Sequence, residues 1–228
     1  MANNKEKAKG ARTSIEEIND SLTSLESKLE NNKKIIYWAI GIIVVIAIVV
    51  LGYIYGIRNP NIEKAKAEIA KADTDLALGN EPQALKEYQA VADGYSNEFS
   101  NRAALEAAEI LYKDKKYNDA IKYLESYEPD GVLVGPASQS LLGDCYVNVK
   151  NYDKALSAFD KAISLSKDNV LYTPVFMMKK ATIYREQKNY KAEADVYQKM
   201  KDKFPQFGQA YQIDIDKYLE RANAQAGK

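Results

Sequence analysis

The sequence contains no histidine and a single cysteine. Without histidine the chain lacks the commonest general acid–base and the commonest metal ligand, which excludes most hydrolytic and zinc chemistry. Cys145 cannot close an intramolecular disulfide, and no imidazole is present to activate its thiol, so it is expected to be a small buried filler. An excess of charge of one sign is also missing. Lys+Arg and Asp+Glu each total 32, and no stretch joins a dense basic patch to stacking aromatics, so nucleic acid is not an expected partner. No nucleophile–base pair, phosphate loop or metal cluster can be assembled from what remains. The expectation is a protein with no catalytic, cofactor or metal site, and no enzyme.

What is present begins with an uncharged apolar run from Ile35 to Ile57, long enough to cross a hydrocarbon core of about 30 Å. Tyr37 and Trp38 stand at one end and Tyr53 and Tyr55 at the other, where amphipathic rings favour the headgroup level. No small-x-small cleavage site follows before Arg58, so the run reads as a retained transmembrane helix rather than a signal peptide. The division expected is a tail over 1–34, a span over 35–57 and a soluble domain over 58–228. Basic residues near the span do not decide orientation. The short tail with Lys5, Lys7, Lys9 and Arg12 is expected inside, because large domains cross largely regardless of charge. Within that tail Ile15, Ile18, Leu22, Leu25 and Leu29 recur at alternating steps of three and four, a short a/d seam suited to self-association or to lying on a surface.

Asn59, Pro60 and Asn61 are expected to interrupt the helical pattern. Everything beyond reads as paired amphipathic helices, and internal repetition organises them. In LLGDCYVNVKNYDKALSAFDKA, Leu142, Gly143, Tyr146, Ala155 and Phe159 match the L-G-x2-Y…A-x3-F core of the tetratricopeptide pattern. A 38-residue step places Tyr146 on Tyr184, Tyr152 on Tyr190, Phe159 on Tyr197 and Pro136 on Pro174, with Glu193 replacing the small Ala155. Upstream, Tyr117, Ala120 and Leu124 form a third unit, and Ala84 with Tyr88 a divergent first one. Small residues at Ala108, Gly143 and Ala155 let backbones approach, and Tyr146, Phe159 and Tyr197 fill the space between. Pro82, Pro136 and Pro174 open helices, while Pro129 and Pro205 lie beyond helix ends. The predicted fold is therefore all-α: a tetratricopeptide-repeat superhelix of about four helix pairs behind one transmembrane helix. One irregular connection is expected, Glu128 to Gly135, and one capping helix, about Gln209 to Ala224, carrying Tyr211, Ile215, Tyr218 and Leu219.

The first helix of each unit lines the concave face of such an array, where a partner segment usually lies. Candidates on that face are Leu105, Glu109, Tyr112, Ser140, Asp144, Met178, Thr182 and Arg185. Chaperone-binding domains of this repeat class clamp a C-terminal carboxylate with Lys and Asn. Here Leu105, Ser140 and Met178 replace the Lys, and Glu109, Asp144 and Thr182 the Asn, so no such clamp is expected.

From Lys33 to Lys228, with its ending YTPVFMMKKATIY…KFPQ…IDKYLERA, the chain resembles the YfgM-like ancillary subunits of the bacterial Sec translocon. That resemblance implies a single-pass protein of the bacterial inner membrane with its N-terminus cytoplasmic and its repeat domain periplasmic. The partners it implies are the Sec translocon, periplasmic folding factors or chaperones, and nascent chains. The other reading weighed is an oligomeric envelope scaffold for cell division or outer-membrane assembly machinery, self-associating through the Ile15–Leu29 seam.

Overall fold

The computed structural model describes residues 32–227, and within them every regular element is a helix. The Ile15–Leu29 seam lies outside the described residues. The described residues divide into two compact units, 32–60 and 61–227.

In the first unit, α1 (Lys33–Tyr53) is followed by a π-helical turn, Ile54–Arg58. None of the side chains of α1 is buried. By length and composition this helix is apolar enough to cross a membrane. The expected interruption around Pro60 does not occur, because α2 (Asn59–Ala77) takes Pro60 into its first turn. The Asn59 N–H donates to the carbonyl of Ile54, five residues back. That wider turn sits where Pro60 has no N–H to give and its ring needs room, so the helical conformation persists.

The second unit is built from α2 and α3 (Glu81–Gly94), α4 (Glu98–Lys113) and α5 (Tyr117–Ser126), α6 (Val134–Asn148) and α7 (Tyr152–Leu165), and α8 (Thr173–Glu186) and α9 (Tyr190–Lys203). From α3 to α9 each helix packs on the next. The four pairs turn in one way. Gly79, Lys115, Lys150 and Lys188 adopt left-handed backbone with φ of 79°, 61°, 60° and 58°. The following amide reaches back to close the helix end, as Asn151 N does to Tyr146 O at 2.8 Å and Asn189 N to Tyr184 O at 2.8 Å. Left-handed backbone costs a residue with a Cβ roughly 1–2 kcal/mol, so three lysines here are held by the turn rather than by preference.

Small residues sit where the repeat requires them. A Cβ on Gly143 would stand 2.6 Å from the Phe159 ring, and Ala108 and Ala155 are fully buried. Phe159 itself is 1% exposed, a burial that stabilises by roughly 2–3 kcal/mol. The tyrosines carry a refinement beyond filling space, since their hydroxyls donate to carboxylates on neighbouring helices. Tyr88 bonds Asp73 at 2.7 Å, Tyr123 bonds Asp93 at 3.1 Å, and Tyr146 bonds Glu125. Each ring is thus buried along its body while its polar tip fixes a helix–helix register.

Two expectations about connections need correction. A second irregular segment, Ser166–Tyr172, accompanies Tyr127–Leu133, because Lys167 and Asp168 are both left-handed and carry the chain out of α7. The single capping helix is two, α10 (Phe207–Tyr211) and α11 (Ile215–Ala226). Gln212, at φ 55°, ends the first, and the Asp214 side chain caps the second by accepting from Lys217 N at 3.0 Å. Gly208 permits the tight return, since a Cβ there would meet the Ile213 carbonyl at 2.6 Å.

α11 closes the array against α9. Tyr218 stacks on Tyr197, centroids 5.5 Å apart. Arg221 Nη2 lies 2.6 Å from Glu193 Oε1, and Glu193 is completely buried. The carboxylate that replaces the repeat's small residue is therefore matched by a guanidinium from the closing helix. The core forms two clusters: one from Ala65 to Ile183, the other joining Met177, Tyr197, Met200 and Phe207 with Ile215 and Tyr218 packed against it.

Candidate functional site

Three first helices, α4, α6 and α8, face a common groove of about 590 Å³. α4 is started by Asn97, whose side chain accepts from Phe99 N at 2.9 Å and Ser100 N at 3.1 Å, while Ser100 Oγ accepts from Asn97 N. With its start fixed, steps of four and three put Leu105, Glu109 and Tyr112 on one face. α6 presents Ala137, Ser140, Leu141 and Asp144, and α8 presents Phe176 and Lys179.

The structure brings Leu105, Glu109, Tyr112, Ser140 and Asp144 together in this groove. Thr182 lines an adjoining depression with Asp144, Lys179 and Tyr152. Met178 packs instead against the second core cluster. Arg185 lines neither hollow and reaches toward Glu186, at 3.9 Å. Sequence reasoning missed Lys113, Leu133, Val134, Ala137, Ser138, Leu141, Tyr172, Phe176 and Lys179, all of which line the groove. The 38-residue step could have found the loop residues: Val132 and Leu133 before Pro136 correspond to Val170 and Leu171 before Pro174.

Lys179 settles the state of the α6 wall. Its Nζ donates to Ser140 Oγ at 2.9 Å and to Asp144 Oδ2 at 2.5 Å, and it lies 5.8 Å from the centre of the Phe159 ring. Burial raises the Asp144 pKa above its ordinary value, more than Lys179 lowers it. Ser140 and Asp144 are thus engaged internally.

Glu109 differs. Its carboxyl forms no hydrogen bond or ion pair with the described residues, and Lys113, one turn further along α4, points its amine at Glu81, 3.6 Å away. Much of its surface meets solvent, yet crowding by the groove walls, and then repulsion from Glu106, raises its pKa. Burial also raises the hydroxyl pKa of Tyr112, which packs edge-on against Tyr117 at 5.6 Å. Among the described residues no group of three His, Cys, Asp or Glu is placed to hold a metal ion. The groove offers apolar surface and one unmatched negative charge among its described residues.

Residues 59–185 match the model of the tetratricopeptide repeat-like domain. No curated protein matches the sequence. Among solved structures, a crystal structure of the MamA protein is 19% identical, with a TM-score of 0.56 over 72% of this chain and 84% of that one. A second, MamA 41-end from Desulfovibrio magneticus RS-1, is 20% identical, with a TM-score of 0.47 over 60% of this chain and 74% of that one. At 19% identity the likeness to the first speaks to fold alone.

Proposed function

Because the chain belongs to the tetratricopeptide repeat-like domain family, we propose that it is a non-enzymatic protein–protein interaction module held at a membrane by the helix beginning at Lys33. The observation that carries the binding half is the groove itself, walled by the first helices of three successive pairs. The anchoring half is supported by the apolar side chains of α1, which stay exposed: Ile43 is 64% and Val49 65% accessible. A face of that kind is stable only in lipid or against a partner. The likeness of Lys33–Lys228 to YfgM-like subunits favours the Sec translocon of a bacterial inner membrane as that setting, with the repeats on the periplasmic side and emerging chains or membrane-anchored folding factors as partners.

The test is a photocrosslinking amino acid at Ala137, an exposed position in the groove, in cells making the full chain. Adducts to translocon subunits or to periplasmic folding factors are the expected result. Adducts only to cytosolic chaperones would overturn both the orientation and the translocon reading.

A further inference from the structure

Two loops of like sequence stand at the rim of the groove. Gly131-Val-Leu-Val134 runs into the start of α6 and Asn169-Val-Leu-Tyr172 precedes α8, one repeat step apart. Their tips are held in water rather than folded in: Val132 is 74% and Val170 66% exposed, and Leu133 and Leu171 about half exposed. The exposure is built by the backbone. Asn169 Oδ1 accepts from Leu171 N at 2.9 Å and Tyr172 N at 3.2 Å, and Asp130 Oδ1 from Gly131 N at 2.6 Å. At the base of the second loop Ser166 and Thr173 share a buried hydrogen bond of 2.6 Å. Holding four large apolar side chains in solvent forgoes their burial energy in the free protein, and it is recovered when something covers them.

Charge decides what that something carries. Leu133, Val134 and Tyr172 line the same groove as Glu109. Of the other charges there, Asp144 is matched by Lys179 and Lys113 by Glu81, so Glu109 is the charge left over among the described groove residues. We propose that the groove takes a polypeptide segment with an apolar side chain for the Leu133–Tyr172 rim and a lysine or arginine for Glu109, the two Val-Leu loops closing on it as jaws. This rests on the protein-binding reading above. It reverses the polarity of a carboxylate clamp, since here the carboxylate belongs to the groove. A bilayer surface is a poorer occupant at the first loop, because Glu128 and Asp130 flank it and anionic headgroups repel them, whereas Asp168 beside the second loop is paired with Lys203.

The experiment selects short random peptides displayed on phage against the full chain in detergent, then measures binding of one selected peptide and of its Lys→Gln version. Selected peptides should share an apolar residue and a lysine or arginine. E109Q should weaken the parent peptide about tenfold and leave the Lys→Gln version unchanged, a coupling of the size expected for a partly desolvated charge pair. L133S with L171S should weaken both. If peptides are displaced by A137R, which fills the groove, but ignore Glu109, the charge assignment falls and the groove reading stands. If they ignore A137R as well, or if none is enriched, both fall. The lipid alternative is read with V170C carrying an environment-sensitive dye. Labelling is selective because Cys145 is buried and its thiol pKa is pushed up to about 12 by burial, then by Asp144. A blue shift on adding lipid vesicles without peptide would place the loops in the bilayer and overturn the proposal.

Discussion

Two single positions carry opposite lessons about stability. At Gly143 the neighbour that a Cβ would strike is an aromatic ring in a filled core, so Gly143→Ala should destabilise by about 1–3 kcal/mol in denaturant unfolding, through overpacking. An unchanged midpoint would mean that Phe159 has room to move. At Glu109 the fold works against the charged form. Its folded pKa lies above the ordinary carboxylate value, so between the two the native state holds more protons than the unfolded chain, and stability falls as pH rises through that window. Glu109→Gln should therefore melt higher than the parent at neutral pH, and the gain should vanish below the ordinary carboxylate pKa, where both are neutral. A gain that persisted at low pH would assign the effect to packing. A stability cost at a groove position is the outcome that the binding proposal for Glu109 predicts.

Among the elements, α11 is the one whose attachment depends on chemistry rather than on repeat packing. Arg221→Ala leaves Glu193 buried without its counter-charge, and should cost about 3 kcal/mol in thermal or denaturant unfolding. Adding Glu193→Ala restores the small residue that the repeat has at Ala155, and should recover most of that loss. A double variant as unstable as the single one would show that the ring contacts of Arg221 with Tyr218, 5.1 Å away, dominate instead. The pairs themselves were legible in sequence because their register is written in periodic residues: Tyr117, Tyr152 and Tyr190 open the second helices, and proline marks the starts of α3, α6 and α8. Less was legible where one backbone torsion or one wider turn decides. The left-handed Gln212 splits the closing helix, and the π turn before Pro60 keeps a proline from breaking one. Of the groove, Leu105, Glu109 and Tyr112 on α4 and Ser140 and Asp144 on α6 were readable from helical spacing. Lys179 was not, because its role depends on α8 lying beside α6, and the rim loops lie outside any helical period.

For the repeat unit as a whole, stability is a sum over neighbouring pairs, so damage should stay near where it is made. The core already falls into two clusters meeting at α8. In hydrogen exchange, Arg221→Ala should speed the amides of α9, α10 and α11 while those of α3 to α7 keep their protection. Uniform acceleration would show one cooperative block. The family match ends at residue 185, ahead of α9; α9 keeps the repeat's Tyr190 and Tyr197 and departs from it at Glu193. Glu193 has a further consequence, for how such a chain can change over generations. Arrays of this kind lengthen when a unit is copied in tandem. A copy of the last pair would carry its own Glu193 into an interior interface, with no guanidinium opposite. The buried carboxylate therefore sets a penalty on duplication at this end that a unit added further upstream would not meet.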